Sequence, residues 1–142
     1  MGNKYCRRCQ QNKSVADFYR NKDRVDGLQD WCKLCSSTLR LSAPGRYSQL
    51  IKRGERRGVK FNIPKEEFIL WFNGQEHYCH YCGWQLKEYR NGNMQGLTID
   101  RQNNDKPYVI GNIVLACRRC NTMKGSWLTE EQMLDAANRY FK

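Results

Sequence analysis

Acidic residues are scarce in this chain, and long apolar runs are missing. Asp and Glu together number 14 of 142 residues against 25 Lys and Arg, which leaves a formal charge of +11. Such an excess on a small chain is the electrostatic footprint of a polyanion binder, with general solubility the blander reading. The longest apolar stretches, such as residues 68–72, fall far short of the roughly 20 residues a membrane-spanning helix needs, so no membrane partner is expected. Residues 1–11 are polar and basic, without the apolar centre of a secretory signal. The expectation is a chain that stays in a reducing compartment.

Cysteine, by contrast, is plentiful and ordered. All eight fall into four CxxC pairs: Cys6/Cys9, Cys32/Cys35, Cys79/Cys82 and Cys117/Cys120. Random placement would give about 0.4 such pairs, so the spacing is constrained. A disulfide framework competes, but in a reducing setting paired CxxC knuckles read as tetrahedral zinc sites. Neighbouring knuckles pair into one site of Cys6, Cys9, Cys32 and Cys35 and a second of Cys79, Cys82, Cys117 and Cys120. Eight thiolates and two zinc ions would lower the formal +11 to about +7, still basic. Between the first two knuckles only Phe18, Tyr19, Leu28 and Trp31 offer apolar bulk, too little for a self-sufficient core, so metal must supply the difference.

A segmented organisation follows: a zinc module over 1–40, a basic helical linker over 41–75 and a second zinc-bearing domain over 76–142. From Ser36 to Lys60, Arg40, Arg46, Lys52, Arg53, Arg56, Arg57 and Lys60 face a single acid, Glu55. A helix over 47–57 would put Tyr47, Leu50 and Ile51 on one side and cations on the other, for phosphate contact or simple solvation. Pro64, Glu66 and Glu67 mark a helix start, and Asn73-Gly74 its end. Residues 97–100 and 112–116 read as short strands around a turn at 103–107. The chain looks helical from Cys120, and a further helix over 129–141 opens on a Thr129/Gln132 capping box. The fold class is small, zinc-stabilised α+β.

Within the second zinc-bearing domain, Asp100 ends a predicted strand and Asn121 directly follows Cys120. Metal would hold both in one unit, where a carboxylate and an amide oxygen suit Mg²⁺ or Mn²⁺. Such an ion would stabilise charge on a scissile phosphate. Structural roles compete: Asp100 capping a turn, Asn112 fixing a loop, Asn121 capping its helix.

Residues 77–127 resemble an HNH endonuclease, of the ββα-metal or His-Me finger group. The resemblance is carried by Cys79-His80-Tyr81-Cys82-Gly83, Leu97-Thr98-Ile99-Asp100-Arg101, Tyr108, Gly111-Asn112 and the run from Cys117 to Lys124. The pattern of Cys6, Cys9, Lys13, Phe18, Tyr19, Asp26-Gly27, Cys32 and Cys35 is similar to a zinc module of phage recombination endonuclease VII-like proteins. The resemblance implies a ββα-metal unit with a treble-clef-like, four-cysteine zinc site. It also implies that Asp100 and Asn121 bind a catalytic divalent ion, Mg²⁺ or Mn²⁺, that Asn112 orders the loop, and that two Zn²⁺ are structural. DNA is the implied partner, gripped by Arg53, Arg56, Arg57, Arg118, Arg119 and Lys124, with homodimerisation open and a cytoplasmic setting in a bacterium or phage-infected cell.

Arg101 departs from the family, which usually has His at that point as general base. An arginine stays protonated and cannot take the proton. Either Arg101 clamps phosphate while His80, His77, Tyr108 or metal-borne hydroxide handles the proton, or cleavage is slow and substrate-assisted, or catalysis has been lost. A non-catalytic zinc protein binding DNA or RNA is the rival reading, and a protein-interaction adaptor a third.

Overall fold

The computed structural model describes residues 2–88 and 93–142. It divides into two compact units, Met1–Gly45 and Arg46–Lys142. In the first, β1 (Asn3–Cys6) pairs with β2 (Gln11–Ser14) and β3 (Phe18–Arg20) with β4 (Leu28–Cys32), both antiparallel, before α1 (Lys33–Leu41). These strands are three to five residues long, and of their residues only Cys6, Phe18 and Cys32 are buried. What lies inside is small: Cys6, Phe18, Cys32 and Cys35, with Cys9, Leu28 and Trp31 packed against them. Arg8 stacks over Trp31 at 4.9 Å. The β3–β4 turn relies on Gly27, whose φ of 71° favours glycine, and on Asp26, which accepts from the Leu28 amide at 3.1 Å and pairs with Lys4.

α2 (Ala43–Arg57) starts four residues before the expected helix and takes in Pro44. Proline is tolerated in a first turn because its missing N–H has no intrahelical partner there. In the second unit, α2 packs by aromatic contacts: Tyr47 meets Phe61 at 5.3 Å and Phe68 at 5.4 Å between ring centroids. Phe68 belongs to α3 (Lys65–Asn73), which begins after Pro64, carries Glu66 and Glu67 in its first turn and ends at Gly74. Phe61 continues the row to Tyr108 at 5.9 Å. Tyr108 donates its amide to the Lys60 carbonyl and accepts from the Asn62 amide, both at 2.9 Å, which pins the following loop to the α2–α3 connection.

β5 (Leu97–Arg101) and β6 (Ile113–Cys117) form an antiparallel hairpin in continuous register, Leu97 opposite Cys117 and Arg101 opposite Ile113. α4 (Arg118–Lys124) follows without a gap, because Cys117 caps it by accepting the Cys120 amide at 3.3 Å. The helix therefore begins before Cys120, earlier than its sequence suggests. α5 (Glu130–Tyr140) has the full capping box of Thr129 and Gln132. Leu97, Leu115, Ala116, Met133 and Ala137 are buried. The strand, strand, helix order puts one face of β5 against the inner face of α4.

Candidate active site

Two thiol clusters are built alike. In each set of four, Cys6, Cys9, Cys32 and Cys35 or Cys79, Cys82, Cys117 and Cys120, the sulfurs lie within 4.8 Å of one another. One knuckle comes from a turn and the other from a helix N-terminus, where Cys32 or Cys117 is the cap. The Sγ–Sγ distances of 3.9 Å for Cys6–Cys35 and Cys82–Cys117 are far too long for a disulfide. They match the edge of about 3.8 Å that four sulfurs at 2.3 Å make around a tetrahedral zinc. The thiols also divide charge unevenly. Burial pushes the Cys6 thiol up, but the amides of Cys32, Cys9 and Arg8 outweigh it and bring it down to about 6. Burial and the neighbouring thiols of Cys32, Cys9 and Cys6 push Cys35 up to about 12. Four thiolates so close need a cation among them, so the donor set fits zinc.

The second cluster fixes the end of β6 and the start of α4. The side chains on the inner face of α4 then meet every second residue of β5, since alternate residues of a strand share a face. Asn121 donates from Nδ2 to Thr98 Oγ1 at 2.8 Å, and Thr98 donates to the Ala116 carbonyl at 2.8 Å. One helical turn on, Lys124 reaches Asp100, Nζ to Oδ2 at 3.2 Å. Tyr81 donates its hydroxyl to the same oxygen at 2.6 Å. Burial pushes the Tyr81 phenol far up and the Asp100 carboxylate adds to this, so Tyr81 stays protonated and keeps donating.

Asp100 and Asn121 line one cavity of about 510 Å³, together with Arg53, Arg57, Arg101, Arg118, Tyr108 and Thr122. The Asn121 amide spends its nitrogen on Thr98, which leaves the carbonyl oxygen as its remaining function. That oxygen and the Asp100 carboxylate are the groups that could serve as ligands of a hard divalent ion, which keeps other positions for water or phosphate.

Arg101 lies with its guanidinium 5.2 Å above the Tyr108 ring, and Nη1 donates to the Asn104 and Lys106 carbonyls at 2.8 and 2.9 Å. That loop is held in turn by Asn112. Its Oδ1 accepts from the Asn103 amide at 2.9 Å, and Nδ2 donates to the Asn103 and Pro107 carbonyls at 3.1 and 3.0 Å. Neither histidine lines the cavity. His80 Nε2 sits 2.7 Å from Glu130 Oε1, which also accepts from Gln102 at 2.7 Å, and the His77 ring packs 5.6 Å from Phe72.

The expected DNA-contacting cations separate into groups. Arg53, Arg57 and Arg118 line the cavity, and Arg56 lines an adjoining hollow of about 470 Å³ that shares Arg53, Thr98 and Ile99 with it. Lys124 departs from the expectation: its side chain is fully buried, and its ammonium serves Asp100, the Arg101 carbonyl at 2.7 Å and Asn104 Oδ1 at 2.9 Å. A phosphate cannot reach it. Arg119 is packed between Trp84 and Phe141, 4.2 and 3.7 Å from the ring centroids, and donates from Nη2 to Cys82 Sγ at 3.6 Å. Arg46, part of the basic linker, is also buried: it donates to the Leu97 and Glu88 carbonyls at 3.5 and 2.9 Å. Arg53, two turns along α2, donates to the Ile99 carbonyl at 3.5 Å, so the helix is fastened along β5. Tyr81 and the inward Lys124 are the participants that sequence reasoning missed. Lys124 had a signal, because it lies four residues after buried Cys120 on one helix face; Tyr81, inside a knuckle, had none.

The family model described as HNH endonuclease matches residues 79–126. An uncharacterised protein of Acanthamoeba polyphaga mimivirus is 37% identical over 70 residues, which make up 49% of this chain and 12% of that protein's length. Among solved structures, the rare-cutting HNH restriction endonuclease PacI aligns over 96% of this chain and 92% of its own, with a TM-score of 0.56 and 23% identity, a likeness of fold. The HNH match falls on the stretch that supplies the second thiol cluster, β5, β6 and α4, and with them Asp100, Asn112 and Asn121.

Proposed function

We propose that this chain is a metal-dependent DNA endonuclease that hydrolyses phosphodiester bonds, of the kind carried by phages and mobile elements, stapled by two structural zinc ions. The observation that carries the reading is the shared cavity: Asp100 and Asn121 open into the same space as Arg53, Arg57, Arg101 and Arg118. Phosphate is drawn to such a cluster of guanidinium groups, and Arg can bind it in two-point fashion. A Mg²⁺ or Mn²⁺ bound by Asp100 and Asn121 would stabilise charge on the scissile phosphate and its leaving oxygen.

The protein's own groups do the positioning. Tyr81 and Lys124 hold the Asp100 carboxylate, Thr98 holds the Asn121 amide, and the Asn112-ordered loop holds Arg101 where it can clamp a phosphate oxygen. No histidine is among the lining side chains, and Tyr108 lies under the Arg101 guanidinium. Attack by water with proton loss to solvent fits that lining best.

Incubating purified protein with supercoiled plasmid, with and without Mg²⁺ or Mn²⁺, tests the reading. Nicking that needs the ion and disappears in Asp100→Ala supports it; intact plasmid at every pH and with either ion refutes it. A second reading, a non-catalytic zinc protein binding DNA or RNA, draws on one observation. Asp100 Oδ2 already has a fixed cation and a hydroxyl beside it, and a site so neutralised could do without a divalent ion. Binding that is indifferent to divalent ions, with no nicking, selects that reading.

A further inference from the structure

Of the four tryptophans, Trp127, beside the candidate active site, is the exposed one: 87% of it meets solvent, whereas Trp31, Trp71 and Trp84 are half-buried. A tryptophan left in water forgoes the largest burial gain any side chain can make, and scattered apolar residues on a surface need no explanation by themselves. Two further observations make this one different. The residues just before it, Gly125 and Ser126, line the cavity that holds Asp100 and Asn121, as does Thr122 on α4. The indole is also seated deliberately. Gly125 has φ of 50°, and a Cβ there would come within 3.0 Å of Trp127 Cδ1 and 3.4 Å of Nε1. Both the turn and the space require glycine, so the chain is shaped to stand the ring against its backbone at the cavity rim. The Trp127 amide closes the turn on the Lys124 carbonyl at 3.2 Å.

We propose that Trp127 is a stacking platform for a nucleobase of the strand whose phosphate occupies the cavity. The chemistry at the rim is complementary to a nucleotide. The cations Arg53, Arg57 and Arg118 suit its phosphate, and an exposed aromatic side chain one residue on from the lining Ser126 suits the base, which every nucleotide presents as a π-surface regardless of sequence. A protein partner would meet the same ring beside a strongly basic cavity, a poor match for an apolar interface. Trp127 thus contributes affinity and fixes which nucleotide step enters the cavity, without choosing its base. In a duplex, this means at least one base beside the cleaved step leaves its stack to meet the indole, so substrates with a mismatch or a gap at that step bind more tightly.

This inference rests on the DNA reading and is tested separately from cleavage. Binding of a fluorescent oligonucleotide is measured without divalent ion for the wild type, Trp127→Ala and Trp127→Phe. The oligonucleotide is used as a single strand, as a duplex, and as duplexes carrying one abasic position at each step in turn. The expected result is an affinity about tenfold lower for Trp127→Ala, in line with the loss of one stacked base, and a smaller loss for Trp127→Phe. One abasic position should weaken the wild type but not Trp127→Ala. Unchanged zinc content and circular dichroism show the variants folded. Equal affinity of wild type and Trp127→Ala overturns the inference, as does a Trp127→Ala effect confined to sedimentation as a dimer. If wild type binds no DNA at all, it is the DNA reading that fails.

Discussion

The ammonium of Lys124 and the carboxylate of Asp100 stand 3.2 Å apart with essentially no solvent on the lysine and little on the aspartate. Everything else at the site is arranged around this pair. Removing one partner of a buried pair leaves an uncompensated charge. Lys124→Met should therefore destabilise the second unit by about 3–5 kcal/mol, read as a lower midpoint in urea. The double variant Asp100→Asn/Lys124→Met should lose less than the sum of the two single changes. Additive losses would mean the two groups do not interact.

Tyr81→Phe should cost about 1–2 kcal/mol, because the Asp100 oxygen loses a charge-assisted bond. The pH dependence has a definite sign. The folded phenol titrates above its ordinary value, so this contribution is complete below the unfolded pKa of about 10 and is lost as pH rises beyond it. The stability gap between wild type and Tyr81→Phe should be constant from about pH 6 to 9 and shrink above about pH 10. Chemical denaturation at several pH values reads it directly.

Arg101→His would restore a group able to accept a proton at the end of β5. Nicking should rise, and the log rate against pH should gain a break near about 6.5 that the wild type lacks. If the rate falls instead, with the same pH profile, then Arg101 matters for its grip on phosphate alone.

Asn112→Ala removes three hydrogen bonds from a buried side chain and should cost about 2–3 kcal/mol. Because Arg101 is fastened to the same loop through the Asn104 and Lys106 carbonyls, nicking should fall at least tenfold. DNA affinity, which draws on α2, should stay within about threefold. Separate binding and nicking assays decide it.

Metal analysis should find two zinc per chain. Withdrawal of zinc by a strong chelator should unfold both units, since structural zinc in modules this small supplies on the order of 10 kcal/mol. Cys120→Ser should release one of the two and abolish nicking, whereas Cys9→Ser should spare the second cluster. Loss of secondary structure followed by circular dichroism, with zinc counted by a colorimetric dye, tests both.

How legible this was in the sequence depended on what held each part together. Cysteine spacing announced both clusters because a tetrahedral ion admits few ligand spacings. The β5–β6–α4 order was readable because Leu97-Thr98-Ile99-Asp100 alternates apolar and polar residues and Ile113 to Ala116 is a short apolar run leading into a knuckle. The strands of the first unit were not. Gln11 to Ser14 is polar and nearly all exposed, so no apolar period marks it; the turn at the metal knuckle sets its pairing. Charge was the least readable property. Arg46, Arg119 and Lys124 look like Arg53 and Arg118 in the sequence, but the first three are drawn inward to backbone carbonyls, aromatic rings or a carboxylate. A tally of basic residues cannot tell a phosphate grip from an internal counter-ion.

Cys120 and Asn121 are consecutive on α4, so a thiol of the second cluster and a cavity amide share one peptide bond. One residue inserted between them would swing the amide by about 100° around the helix axis, away from Thr98 and out of the cavity. Length changes between these two positions are therefore barred, and a lineage that keeps the metal knuckle keeps the angular setting of position 121 with it. Divergence is channelled into which side chain stands at 121, not into where it points.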